Sequence, residues 1–372
     1  MQVASFEAPS PGIAVTSNAP PKLMKAAVYQ GEGVIAVEEV AVPAIGPGEL
    51  LVRVEACGVC HTDLKKVQYN LLPPPRVYGH ETAGVVVQLG AGVNGFAVGD
   101  RVVIFHHIPC GDCFYCRRKL YAQCPVYKKV GVTAGFEPAG GGFAQYVRVM
   151  DWIASRGVEK IPDGVSFEVA SFVEPVNTCL KAVEQLAAGP GDVVVVMGQG
   201  PIGLIFTMLL KERGVGVIAT DTIPGRLRLA RQSGAMEAVD PRSDDAADIA
   251  RKRTGGRGAD AVVVATAAHG LVEQAMECSR PGARILLFAQ TSPTERIELS
   301  GAGICVGERI LFGSYSASVD VQKESAALVF GGRIPLDILI SHRLPLESIK
   351  KAFDLATRPT ADSLKIVVNP NG

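Results

Sequence analysis

From Met24 to about Val149 the apolar residues come in short runs that stop at Gly or Pro. Leu50–Val54, Ala83–Leu89, Arg101–Phe105 and Phe143–Val149 are the clearest. Short runs separated by turn residues predict an antiparallel or barrel-like β domain. Near residue 175 the pattern changes. "DVVVVMG", "VGVIATD", "GADAVVVATA" and "GARILLFAQ" are apolar throughout, as strands buried on both faces are, and helix-compatible segments separate them. Alternation of strand and helix predicts a doubly wound parallel sheet with helices on both faces. "RILFGSY" can supply a sixth strand. After about residue 317 one more helix, "LESIKKAFDLAT", and one more strand, "LKIVVN", are expected.

The chain has 372 residues, which fits two domains. Lys+Arg and Asp+Glu both total 37, so no basic surplus points to nucleic acid. Arg117, Arg118 and Lys119 form a small cluster that reads as a solvated face. No apolar stretch reaches the roughly 18 residues of a membrane span. Residues 1–23 carry only Glu7 and Lys22 as charges and lack a signal-peptide pattern. They read as a disordered extension ahead of "MKAAVY", with Met24 a candidate natural start. The expected compartment is the cytoplasm, where clustered thiols bind metal more often than they form disulfides.

Three sets of residues carry chemistry. The first is Gly198-Gln-Gly200-Pro201-Ile202-Gly203, which follows an apolar strand and opens a helix-like segment, with Asp221 at a strand end 23 residues after Gly198. Gly198 and Gly200 permit the bend and the approach of a pyrophosphate, and Gly203 lets helix pack on strand. Asp221 would accept hydrogen bonds from the adenosine ribose and repel a 2′-phosphate, so NAD is expected over NADP. Arg226 and Arg228 are close enough in sequence to bear on a phosphate.

The second set is Cys110, Cys113, Cys116 and Cys124 in "PCGDCFYCRRKLYAQC". Four close thiolates can surround one Zn²⁺ and leave no open position, which makes a structural site; an iron–sulfur cluster is the other option. The third set is dispersed: Cys60 in "CGVCHTD", His80 and Glu81 in "YGHETAG", and Glu174 in "FVEPVNT". A Cys, a His and a carboxylate with a free fourth position match a catalytic zinc, provided the fold brings them together.

With "VGDRV" and "GGFAQY" added, these motifs resemble those of the zinc-containing medium-chain alcohol dehydrogenase family, from Met24 to Gly372. The resemblance implies a GroES-like catalytic domain over residues 24–176, with a structural zinc lobe at 106–128. It implies a Rossmann NAD-binding domain over 177–316 and a return to the catalytic domain over 317–372. Cys60, His80 and Glu174 would ligate a catalytic zinc, with Glu81 behind it. Asp63 would orient His80, and Thr62 would be the proton-relay hydroxyl. His61, Thr178, Arg226 and Lys365 would contact the cofactor. Lys65 stands where many relatives carry the relay's last His. Two zincs and NAD per subunit, and a homodimer or homotetramer, are the implied partners of a small alcohol substrate. Glu174 resembles the third ligand of polyol enzymes, so a secondary, polyol or sugar-derived alcohol leads. A threonine 3-dehydrogenase-like or simple alcohol dehydrogenase activity, and a non-catalytic zinc and nucleotide-binding protein, stay open.

Overall fold

The computed structural model describes residues 19–137, 140–289 and 296–372. The expectation for residues 1–18 therefore lies outside the described part, and the first strand already begins at Leu23.

The first half is β-rich. An eight-stranded sheet runs in the order Ile340–Pro345, Lys365–Asn369, Leu50–Gly58, Glu81–Leu89, Arg101–Ile104 and Val158–Lys160, with Tyr146–Val149 and Val132–Thr133 off that path. Lys365–Asn369 pairs antiparallel with Leu50–Gly58, placing Val367 opposite Gly58. The end of the chain thus completes a sheet begun at its start.

The second half is one six-stranded, all-parallel sheet. Its order is Glu237–Val239, Gly216–Thr220, Val193–Met197, Ala259–Val264, Ser279–Leu287 and Ile310–Gly313. Numbered along the chain this is 3-2-1-4-5-6, the doubly wound arrangement, with its crevice where the order reverses beside Val193–Met197. That strand shows why an unbroken apolar run is needed. Val194 and Val196 enter the hydrophobic cluster on one face, while Val193, Val195 and Met197 enter the cluster on the other.

The helix Val173–Leu186 joins the halves and runs across the expected boundary at 176–177. The cluster it packs into contains Ala56, Ala83 and Val103 of the β-rich sheet together with Val194 and Val196. Glu174, in its first turn, consequently lies at the junction.

Among the elements not legible in the pattern are a short strand and a helix. Glu237–Val239 is a three-residue strand, too short to show a period. A helix also runs over Gln322–Phe330, in a tail expected to hold one helix only. Its apolar stripe is interrupted by buried Gln322 and Ser325, whose side chains are satisfied internally: Gln322 Nε2 donates to Arg156 O at 3.0 Å and Ser325 Oγ to Gln322 O at 2.7 Å.

Candidate active site and metal centres

Strand pairing assembles the dispersed set. Gly58 at the end of Leu50–Gly58 pairs with Glu81 at the start of Glu81–Leu89. Residues just past one strand and just before the other therefore emerge at the same end of the sheet. Cys60 there caps the helix His61–Gln68, accepting from Thr62 N at 3.5 Å. One donor atom each from Cys60, His80 and Glu81 lies within 4.8 Å of the others.

The surroundings orient these groups. Asp63, fully buried, holds Oδ1 3.0 Å from His80 Nδ1, and Gly79 N donates to the same oxygen at 3.4 Å. Burial opposes the charged imidazole, but Asp63 and Cys60 hold the His80 pKa well above the ordinary value. With Nδ1 turned to Asp63, the other ring nitrogen faces Cys60, as in a metal-ligating histidine steadied by a carboxylate. Glu81 forms a buried ion pair with Lys365, whose Nζ also donates to Val59 O at 3.1 Å. Burial disfavours that ammonium, yet Glu81 and Cys60 keep its pKa raised.

Glu174 is buried on the junction helix, and burial lifts its carboxyl to about 7 against the pull of His80. It borders the same centre, but its carboxylate is not among the donors within 4.8 Å. Thr178, one turn on, donates to Pro175 O at 2.9 Å. A half-buried thiol beside a buried imidazole and buried carboxylates is a donor set suited to Zn²⁺.

The cysteine lobe fits a cation more sharply. Cys110, Cys113, Cys116 and Cys124 are free thiols whose sulfurs lie within 4.8 Å of one another. Sγ separations are 3.8 Å for Cys110–Cys116, 3.5 Å for Cys113–Cys116 and 3.7 Å for Cys110–Cys124. Zn–S bonds of about 2.3 Å put the corners of a regular tetrahedron about 3.8 Å apart. A multi-iron cluster between the sulfurs would hold them farther apart, so the geometry favours a single ion. Burial pushes the Cys124 thiol up, but the N–H groups of Cys110 and Tyr127 aimed at its sulfur bring it down to about 6.

At the glycine-rich turn each glycine has a separate reason. Gly198 adopts φ +88°, and a Cβ on Gly203 would fall 1.8 Å from Gly198 O. Gly200 caps the helix Pro201–Glu212, with Pro201 at its first position. A Cβ there would meet nothing closer than Arg226 Nη1 at 4.0 Å, so this side of the turn is open to a ligand. Asp221 accepts from Gln199 N at 2.7 Å and Ile223 N at 2.8 Å, with Arg226 Nη1 3.9 Å away. Arg226 also reaches Ser363 O at 3.4 Å, and its buried Nε has no hydrogen-bond partner. Arg228 is exposed.

The two sites meet. Ser363 touches Arg226 beside the glycine turn, and Lys365, two residues on, pairs with Glu81. His61, next to Cys60, lines the cleft. Its ring is open to solvent on one side, yet protein packing, Lys365, Lys65 and Arg226 lower its pKa.

Sequence reasoning missed four residues here. His106 stacks 4.8 Å from the His80 ring, His107 lies 3.9 Å from His106, and Tyr127 lies 4.8 Å from His107. Burial pushes the pKa of His106 well down and that of His107 to about 3. Tyr127 OH donates to Ala317 O at 2.9 Å. Asn177 clasps Ser318, accepting from its N at 2.7 Å and donating to its O at 3.0 Å. The available signal was the doublet itself, two of the chain's six histidines side by side at the start of the cysteine lobe.

Comparison with known proteins agrees with this geometry. Residues 46–163 match the alcohol dehydrogenase GroES-like domain, and residues 201–330 match the zinc-binding dehydrogenase domain. The chain is 34% identical to an alcohol dehydrogenase of Geobacillus stearothermophilus over 89% of its own length and 95% of the relative's. It is 29% identical to a sorbitol dehydrogenase of Bacillus subtilis, over 94% and 98% of the two chains. A solved zinc-binding dehydrogenase from Sinorhizobium meliloti 1021, bound to NADP, superposes with a TM-score of 0.84 at 30% identity, covering 94% of this chain and 100% of that one. With its parallel nucleotide-binding sheet, its β-rich partner and two clustered metal-donor sets, this chain belongs to the zinc-containing medium-chain alcohol dehydrogenase family.

Proposed function

We propose that the protein oxidises a secondary alcohol of the diol, polyol or sugar-derived kind with NAD, using Cys60, His80 and Glu174 to hold a catalytic zinc. The observation that carries this reading is the bridge Ser363–Lys365, which ties the open glycine turn to the Cys60, His80 and Glu81 donors. When bound, the zinc would supply charge stabilisation at the substrate oxygen and the dinucleotide would supply the hydride acceptor.

The chain's residues do the rest. Asp63 keeps the His80 ring turned so that one nitrogen stays a lone-pair donor. Glu81, whose charge the Lys365 ammonium offsets, adds a further carboxylate beside Cys60 and His80. Thr62 Oγ1, in the first turn of the helix that Cys60 caps, takes the substrate proton. Lys65, one turn further, lies on the route by which that proton leaves. Asp221 orients the adenosine ribose and opposes a 2′-phosphate, which supports NAD for this chain although the Sinorhizobium relative holds NADP. His61, Thr178 and Arg226 line the nucleotide's path. Cys110, Cys113, Cys116 and Cys124 hold a second, structural zinc.

No helix among the described residues is long and apolar enough to cross a membrane. Nine free thiols suit a reducing compartment such as the cytoplasm. The exposed edge strand Ile310–Gly313 supports assembly as at least a dimer.

The test combines metal content with turnover. Wild type should carry two zincs per subunit and reduce NAD in preference to NADP with a diol or polyol. Cys60→Ala and His80→Ala should each keep one zinc, keep the fold and lose turnover by three orders of magnitude or more. Turnover in a one-zinc Cys60→Ala protein, or wild type that turns over only threonine or only primary alcohols, would refute the reading.

A further inference from the structure

We propose that His106 and His107 form a hydrogen-bonding wall of the cleft that receives the hydroxyl next to the one being oxidised, making the enzyme selective for vicinal diols and polyols over monoalcohols. The inference deepens the proposed function and rests on it.

The placement follows from strand register. Thr82 pairs with Ile104 across the antiparallel strands Glu81–Leu89 and Arg101–Ile104. His80 lies just before the first of these strands and His106 two residues past the end of the second, so both emerge at the end of the sheet where Thr82 and Ile104 pair. Their ring centroids are 4.8 Å apart. His106 is therefore set beside the metal-donor group, within the span of a small substrate held there.

What distinguishes the pair is its unmet polarity. His106 is 7% exposed and His107 Nδ1 is fully buried without a partner. Among the described residues, neither ring donates or accepts a hydrogen bond, although each neutral imidazole carries one donor and one acceptor. Buried polar groups without partners cost stability, and residues that only pack would do so better as Phe or Leu. The ring train ends on Tyr127, whose hydroxyl is already spent on Ala317 O and lies 3.0 Å from Ser316 Oγ. Tyr127 consequently braces the pair and leaves its nitrogens for a ligand. A second hydroxyl on the substrate gives the pair a hydrogen-bond partner that the protein does not supply; a monoalcohol gives none. Sites built to bond a hydroxyl discriminate strongly against analogues that lack it.

The experiment compares 1,2-propanediol with 2-propanol on the zinc-loaded protein with NAD. In His106→Phe, and to a lesser degree His107→Phe, the ratio of kcat/KM for diol over monoalcohol should fall about tenfold or more while zinc content stays at the wild-type value. His106→Gln, which keeps a donor and an acceptor, should recover part of the ratio. An unchanged ratio in both Phe variants would overturn the proposal and leave the rings as packing. If wild type oxidises neither alcohol, the functional reading fails, and the wall is judged by binding alone. 1,2-Propanediol should then raise the melting temperature of the zinc-loaded, NADH-bound protein, and His106→Phe should abolish the shift; equal shifts in both proteins would overturn it.

Discussion

Glu49 is 7% exposed and takes two N–H donors from Arg148, at 2.8 and 2.7 Å, and a third from Gly46 at 2.6 Å. This fork fastens the loop before Leu50–Gly58 to the strand Tyr146–Val149. The bonds from Arg148 outweigh the effect of burial and lower the Glu49 pKa below its usual 4.5. A carboxyl depressed in the folded state adds stability above its unfolded pKa and loses it as pH falls through the lower folded value. Unfolding by urea should show this. Glu49→Gln should cost about 2 kcal/mol at neutral pH, where a charge-assisted bond is lost. It should lose less than wild type below the usual carboxyl range. Parallel acid profiles for the two proteins would show that the fork carries no linkage.

At the scale of the element, the glycine turn separates two kinds of requirement within one helix start. On Gly203 a methyl group would collide with Gly198 O at 1.8 Å, whereas on Gly200 it would meet open space. Gly203→Ala should lower the melting temperature, by an overpacking cost of about 1–3 kcal/mol, and weaken NADH binding together. Gly200→Ala should melt like wild type and bind NADH more weakly, since its methyl group would occupy the ligand's side. A thermal melt and an NADH fluorescence titration on both variants separate the outcomes; a stable, tightly binding Gly203→Ala would contradict the packing argument. The contrast also explains what could be read in advance. The parallel sheet and its turn were legible because their signals are local: apolar runs, a glycine spacing and an acid at the next strand's end. The first half was legible as β but not as a sheet order, because Lys365–Asn369 joins Leu50–Gly58 from the far end of the chain. Cys60, His80 and Glu81 were found through motifs, and the fold brings them together. His106 and His107 were passed over, because their meaning depends on a register between strands and on partners that are missing.

For the whole molecule, the parallel sheet ends on Ile310–Gly313, which among the described residues pairs on one side only, with Ser279–Leu287. Ile310 is 46% exposed, and Val306 and Tyr315 nearby are exposed at 83% and 55%. An open apolar edge pairs readily with another strand, and a second copy could extend the sheet across the edge. Light scattering should find a dimer or a multiple of one, and Ile310→Lys should shift the mass toward the monomer. A monomeric wild type would leave this edge uncovered in solution and refute the assembly.

Tyr127 belongs both to the small core of the cysteine lobe, with Cys116, Ala122 and Cys124, and to the train of rings that ends at His80. The lobe is tethered from outside as well, through Tyr121 OH to Asp320 at 3.0 Å. A cation that never meets the alcohol would thus help to decide which alcohol is accepted, as a keystone shapes an arch it does not line. Cys113→Ser protein that keeps one zinc should show a drifting preference between diol and monoalcohol before it shows unfolding. A constant preference up to the melting point would reduce the lobe to a stability clamp.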